Sequence, residues 1–199
     1  MNARRPLLTL EDIEDLRAYE RGREAYRRGI IELKRRRRVS VGPIVSFVFE
    51  NRETVRSQIQ EMARAERMVT DEQIQTELDI YNALIPQPGE LSATLFIELT
   101  GEELLRQWLP RLVGIEHAVV FRLEGGDVVR GEPEAAHEEA LTRPEITASV
   151  HYLRFGFTPD QVERFASGPV TLAVDHPEYR QSTELGDEVR RELLGDLRP

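Results

Sequence analysis

Residues 50–69 read ENRETVRSQIQEMARAERMV and carry apolar residues at the spacing of a helix. At about 100° per residue these apolar residues form one stripe, which consists of Val55, Ile59, Met62 and Val69. Glu66 falls inside the stripe and Arg52 lies at its margin. Because a buried carboxylate without a partner is costly, the pattern predicts a helix over residues 50–69 in which Glu66 is buried and bonded to Arg52 or Arg154.

Helical and strand patterns alternate on both sides of this segment. Three further helices begin at capping boxes, which are Thr9 with Asp12, Thr70 with Gln73, and Thr100 with Glu103. These helices and a fourth run from Leu10 toward Leu33, from Thr70 through Leu84, from Thr100 to near Pro110, and from Thr158 through Phe165. The predicted strands cover 39–50, with a bend at Gly42-Pro43, and 91–99, 119–123, 128–130, 146–157 and 170–174. The order predicts an α+β fold: a mostly antiparallel sheet with helices packed on one face and concentrated in the N-terminal half.

The length of 199 residues fits a single domain over residues 1–199. Residues 131–145 contain five glutamates and few large apolar groups. This composition predicts an acidic exposed loop or linker. Residues 186–199 are expected to form a C-terminal tail that is an amphipathic or frayed helix.

The chain contains no cysteine. Its absence excludes disulfides, a thiolate nucleophile, a thiolate-held iron–sulfur cluster and a cysteine-type zinc site. No apolar run approaches the length of a membrane span, and the first residues lack the apolar stretch of a signal peptide. We therefore expect a cytoplasmic protein with no membrane partner.

Charge is spread unevenly along the chain. Residues 1–38 hold 12 basic and 7 acidic residues, a net charge of +5, so a total of −9 leaves −14 on the remainder. The run Arg35-Arg36-Arg37-Arg38 could neutralise phosphates. However, the net charge opposes long-range attraction and no aromatic residue interleaves the run for base stacking. We expect no nucleic-acid partner and a solvated cluster at the negative end of the first helix.

Several short segments together carry a family resemblance. They are Val41-Gly42-Pro43, Phe49-Glu50-Asn51-Arg52, Gln58-Ile59-Gln60-Glu61, Tyr81-Asn82, Val150-His151-Tyr152-Leu153-Arg154-Phe155 and Asp175-His176-Pro177. With these segments the chain resembles the bacterial domain-of-unknown-function family 3501 over most of its length, and the resemblance brings no assigned reaction. Members of that family are often encoded beside rubrerythrin-like and cysteine-rich iron–sulfur proteins. The resemblance therefore implies a supporting role in a redox or peroxide-defence system.

Polar residues next to the apolar stripe of 50–69 form a candidate binding face. They lie within about 120° of one another on the helix and are Arg52, Arg56, Gln60, Arg64 and Arg67. Guanidinium forks could grip a carboxylate or phosphate there. Alternatively, Glu61 and Glu66 could neutralise the arginines in an internal polar network, and the sequence leaves both interpretations open.

Two histidines are further candidates. His151 alternates with apolar residues on one strand, which is typical of a hydrogen-bonded core histidine, and His176 precedes a proline, as a turn or N-cap residue does. Together with Glu50, Glu61 and Glu66 they could offer ligands to iron, manganese or zinc. Because no Glu-x-x-His or His-Glu-x-x-His spacing is present, we expect no metal and no cofactor.

Two functions remain in view. The favoured one is an accessory or binding protein that engages a redox partner protein or a small anion and turns over no substrate itself. Its expected contacts are the run at 35–38 and Arg52, Arg56, Tyr81, Asn82 and Arg154. The alternative is a metal-dependent or carboxylate/histidine enzyme. Neither the catalytic residues nor the oligomeric state follows from the sequence.

Overall fold

The computed structural model describes residues 6–134 and 145–198. Its strands are β1 (Arg38–Val41), β2 (Val45–Glu50), β3 (Glu90–Ile97), β4 (Val119–Leu123), β5 (Val128–Arg130), β6 (Glu132–Pro133), β7 (Val150–Gly156), β8 (Val170–His176) and β9 (Tyr179–Glu184). Its α-helices are α1 (Leu16–Arg36), α2 (Arg52–Ala65), α3 (Asp71–Tyr81), α4 (Glu102–Trp108), α5 (Pro159–Ser167) and α6 (Asp187–Leu197). The order β1-β2-β3-β7-β6 makes the first sheet and β5-β4-β8-β9 the second, and all neighbouring strands are antiparallel. The predicted α+β class is confirmed.

The main core lies between the two sheets. Side chains alternate along a strand, so Phe47 and Phe49 of β2 enter this core together with Phe121 of β4 and Phe155 of β7. The rings of Phe121 and Phe155 meet edge to face, with centroids 4.9 Å apart. The predicted C-terminal tail is helix α6, which buries Leu193 and Leu197 in the same core.

A smaller core lies under α2 and α3. It consists of Leu8, Val55, Ile59, Leu78, Leu84 and Ile85. The helical spacing of Val55 and Ile59 thus has the predicted effect of burying one face of α2. None of the helices in 6–134 and 145–198 is long and apolar enough to cross a membrane.

The burial of Glu66 predicted from the helical stripe is wrong. Helix α2 ends at Ala65, and Glu66 is exposed, as is Val69 at 80%. Arg67 takes a left-handed conformation (φ 55°), so that its N–H bonds to Arg64 O and the Met68 N–H to Ala63 O. These are the two bonds of a Schellman motif. This helix end could not be predicted from the sequence, because glycine and not arginine normally supplies that conformation.

The segment 39–50 is a β-hairpin, not one bent strand. Gly42 adopts φ 71°, and Val41 pairs with Val45 across the turn. The two short strands share one alternating pattern, which explains why the sequence resembled a single strand. Strand β9 was not predicted because its residues, apart from Tyr179, are exposed or half-buried.

The acidic loop predicted at 131–145 falls mostly outside the described residues. Within the described part, Glu132 and Pro133 form β6 and pair with Arg154 and Leu153 of β7. Residues 135–144 lie outside, so the exposed loop stays a prediction.

Candidate functional site

The face of the first sheet that points away from the second sheet carries buried polar side chains. One cross-strand row runs from Arg38 through Val48 and Thr94 to Tyr152. The next row begins with Glu50. Helix α2 and the last turn of α1 lie beside these rows, and a groove of about 630 Å³ remains between them. Its lining is Lys34, Arg38, Val48, Glu50, Ser57, Gln58, Glu61, Met62, Ala65, Thr94, Phe96, Val150 and Tyr152. We call this space the Glu50 groove.

Glu50 is the last residue of β2 and is only 3% exposed. The Thr94 hydroxyl donates to its Oε1 at 2.6 Å, and the Thr54 hydroxyl donates to its Oε2. The next residue, Asn51, caps α2, so the carboxylate lies near the positive end of that helix. No arginine, lysine or histidine of the described chain comes within 4.0 Å of the Glu50 carboxylate. A buried carboxylate is thus held by hydroxyl groups alone.

The lining of the groove carries charges of both signs. Near Glu50, burial raises the pKa of Tyr152, while a hydrogen bond with Gln58 acts in the opposite direction. Lys34, the chain's only lysine, also lines the groove. Its ammonium group has no acidic partner within 4.0 Å in the described residues. The neighbouring Arg38 is already paired with Glu98.

The predicted solvated arginine run is only partly solvated. Arg37 is 1% exposed and donates to Phe49 O at 2.7 Å, to Glu50 O at 3.2 Å and to Glu192 Oε1 at 3.1 Å. It also forms an ion pair with Asp196. The reason is its position as the C-cap of α1, which places its side chain between the end of β2 and helix α6.

The arginines of α2 are paired internally. Arg52 contacts Asp12 at 2.7 Å, Arg56 contacts Glu14 at 3.4 Å, and Arg64 contacts Glu20 at 2.7 Å. Gln60 joins the same segment, since its amide binds the backbone of Glu14 in both directions. These arginines are thus paired inside the fold, but not with Glu61 and Glu66 as the sequence suggested. Their acidic partners are Asp12, Glu14, Glu20 and Glu53.

Glu61 belongs to a different network. Arg23 binds it through two nitrogens at 2.8 and 2.9 Å, and the Tyr19 hydroxyl donates to it at 2.6 Å. The hydrogen bond from Arg23 is the main cause that lowers the pKa of Glu61 to about 2. Glu66 joins none of these pairs; its charge adds to burial in raising the pKa of Glu77.

A second hollow, of about 780 Å³, lies where α1 meets the end of α2. Its basic lining residues are Arg17, Arg21, Arg64 and Arg67. Arg64 is paired with Glu20, but the side chains of the other three make no ion pair or hydrogen bond within the described residues and are exposed. We call this surface the arginine hollow. Sequence reasoning named Arg64 and Arg67, and it missed Arg17 and Arg21 because they come from another helix.

Three further predicted contacts hold the fold together. The Asn82 side chain binds the backbone of Leu8 in both directions, at 2.8 and 3.0 Å. Arg154 contacts Glu90 at 2.9 Å and the carbonyl of Ala83. Tyr81 packs against the smaller core. Any contact of these three residues with a partner stays a prediction.

Both predicted histidines are buried. His151 Nε2 lies 2.8 Å from the Thr147 hydroxyl and 3.0 Å from Ala148 O. His176 Nδ1 accepts the Glu178 N–H, so its Nε2 donates to a backbone carbonyl, in keeping with a turn residue. The described part of the chain contains no group of three His, Asp or Glu residues that could hold a metal ion.

Sequence reasoning missed Glu116, a residue of a short 3₁₀ turn with no periodic pattern. It is 1% exposed, and its Oε2 lies 3.9 Å from His151 Nδ1 with no hydrogen-bond partner in the described residues. Sequence reasoning also missed Thr94. In β3, however, Ser92 and Thr94 alternate with buried apolar residues, and this alternation predicts a polar sheet face.

Comparisons with known proteins agree with this fold. The chain is similar to a crystal structure described as a novel protein of unknown function from Burkholderia pseudomallei K96243, with 35% identity and a TM-score of 0.88. The similarity covers 96% of this chain and 100% of that one. No curated protein matches the chain. A family model described as protein of unknown function (DUF3501) matches residues 7–197, and the chain therefore belongs to this family.

Proposed function

We propose that this protein is an accessory binding protein that docks an acidic partner protein at the arginine hollow. The observation that supports this is the gathering of Arg17, Arg21 and Arg67 around one open hollow, as three exposed guanidinium groups that have no partner in the described part of the chain. Guanidinium groups bind carboxylates through paired hydrogen bonds. The geometry therefore fits aspartate and glutamate side chains on a partner surface.

The charge distribution favours the same surface. Residues 1–38 have a net positive charge, whereas the rest of the chain is acidic and the total charge is −9. Such polarity orients an approaching acidic protein and accelerates its association at low salt. Because Arg52, Arg56 and Arg154 already have acidic partners in the fold, we place the main contact at the arginine hollow.

We further propose that the partner is a rubrerythrin-like or iron–sulfur protein of a cytoplasmic peroxide-defence system. The resemblance of the chain to its family suggests this class of partner. The lack of cysteine is consistent with a supporting role, because thiol redox chemistry would have to come from the partner.

The test is affinity capture from native lysate with three forms of the protein: wild type, Arg21→Gln/Arg67→Gln, and Arg130→Gln/Arg180→Gln. The control pair also removes two exposed arginines without ion-pair partners in the described structure, but from the second sheet. We expect an acidic partner to be retained by wild type and control, to be lost from the hollow variant, and to elute at about 0.5 M salt, where charges are screened within a few ångströms. Equal recovery with all three forms would exclude the arginine hollow.

The second candidate is a carboxylate/histidine enzyme or metal protein, and the Glu116–His151 contact favours it. A buried carboxylate beside an imidazole can hold or move a proton. Elemental analysis of protein purified without added metal separates the two functions. If wild type holds stoichiometric iron, manganese or zinc and Glu116→Gln does not, the result would contradict the accessory function and support the enzyme or metal protein.

A further inference from the structure

We propose that the Glu50 groove binds a small molecule with an amino group at one end, an apolar body, and an anionic group at the other end. This inference is independent of the arginine hollow. It rests on three features that the groove shows among the described residues: a buried carboxylate without a cation, an apolar part of the lining, and a lysine without an acidic partner.

The Glu50 end of the groove is suited to an amino group. The carboxylate is 3% exposed and has one hydroxyl donor on each oxygen, from Thr54 and Thr94. A carboxylate oxygen can accept further hydrogen bonds beyond one. In a site of low dielectric, an ammonium group gains more from this charge than it would in water. The side chains of Ser57 and Gln58 lie in the same lining and supply additional polar contacts.

Part of the groove lining is apolar. Val48, Phe96 and Val150 come from three neighbouring strands, and Met62 faces them from α2. Val150 lies opposite Phe96 in the register of β3 and β7. These side chains would remove the hydrocarbon part of a ligand from water, which contributes roughly 25 cal/mol for each Å² buried.

Lys34 provides a positive charge in the groove lining. It lies in the last turn of α1, and its ammonium group has no acidic partner in the part of the chain that is described. Arg38 also lines the groove, but Glu98 neutralises it. An anionic ligand group therefore pairs with Lys34. A short ω-amino acid carries one group of each charge on a hydrocarbon chain, and it therefore suits this lining.

The test uses 6-aminohexanoate as the probe, with hexanoate and hexylamine as controls that each lack one charged end. Binding is followed by NMR of protein labelled with ¹³C at the methionine methyl groups. The chain has three methionines. Met62 lines the Glu50 groove, whereas Met68 lines a different hollow beside α3 and serves as the internal control. We expect 6-aminohexanoate to shift the Met62 signal in a saturable way, leave Met68 in place, and bind at least tenfold more tightly than either control.

Two variants test the charged ends. Glu50→Gln keeps the shape of the side chain and removes its charge, and Lys34→Met does the same for the other end. Each should weaken 6-aminohexanoate binding at least tenfold, while Glu53→Gln, a change to a half-exposed acid of α2, should leave it unchanged. An unshifted Met68 signal in the free variants shows that they are folded. No saturable Met62 shift with 6-aminohexanoate, or equal binding by wild type and both end variants, would overturn the proposal.

Discussion

Replacing Arg37 by methionine should destabilise the protein more than any other change in the arginine run. The Arg37 side chain is 1% exposed and joins three parts of the chain: the end of α1, the end of β2 and helix α6. Methionine fills similar space but donates no hydrogen bond. The substitution leaves Asp196, whose side chain is 11% exposed, without its guanidinium partner, and it leaves the carbonyl groups of Phe49 and Glu50 without that donor.

The size of the effect follows from these losses. Removing one partner of a buried ion pair typically costs about 3 to 5 kcal/mol. For a chain of this length, 1 kcal/mol lowers the melting temperature by about 2 to 4 °C, so we expect a fall of about 6 to 20 °C. Arg35→Met is the matched control. Arg35 is 60% exposed and pairs with the exposed Glu32 and Glu188, so its loss should change the free energy of unfolding by less than about 1 kcal/mol.

Thermal melts of both variants provide the measurement, supported by a double-mutant cycle. If Arg37 and Asp196 act on each other, Arg37→Met/Asp196→Asn loses less stability than the sum of the two single variants, with a coupling of about 1 to 3 kcal/mol. The reasoning fails if Arg37→Met melts within about 2 °C of Arg35→Met, or if the two single effects simply add.

Three further predictions concern other parts of the chain. The pKa of Glu61 is lowered from 4.5 to about 2. Its contribution to stability is therefore complete above pH 4.5 and is lost as the pH falls toward 2. In urea titrations, the free energy of unfolding of Glu61→Gln should fall less between pH 6 and pH 2.5 than that of wild type. Gly42→Ala places a methyl group against the Tyr179 hydroxyl at φ 71° and should cost about 1 to 3 kcal/mol in denaturant unfolding, whereas Gly22→Ala in open space on α1 should stabilise by about 0.5 to 1 kcal/mol. Limited proteolysis should cut first within 131–145, and cleavage confined to the termini would contradict this acidic loop.

The fold class and most elements could be predicted because their signals are local. Thr70 caps α3 through the predicted capping box with Gln73, and α5 begins directly after Thr158, where the sequence predicted a helix to start. Strands β4 and β5 have the predicted bounds, and they pair across a turn that contains the glycine pair at 125 and 126, both with positive φ. Caps and turns depend on residues that are close in the sequence, so they can be predicted from a single sequence.

The candidate sites were predicted less well because their residues meet across large sequence separations. Glu50 accepts a hydrogen bond from Thr94, which is 44 residues away in the sequence. Arg37 binds Asp196, which is 159 residues away in the sequence. Helical phase alone placed Glu66 in the core, and one left-handed residue that is not glycine was enough to make this wrong. Periodicity assigns a residue to a face, but the partner on that face depends on tertiary packing.

The end of β2 connects the Glu50 groove with the buried contacts of Arg37. Its last two residues, Phe49 and Glu50, give their carbonyl groups to Arg37, and Arg37 is held in turn by Asp196 of α6. The side chain of Phe49 enters the main core, while that of Glu50 faces the groove. Because the same arginine fixes the backbone under both side chains, α6 supports the position of the Glu50 carboxylate without lining the groove itself. The C-terminal helix is therefore a structural support of the candidate ligand site.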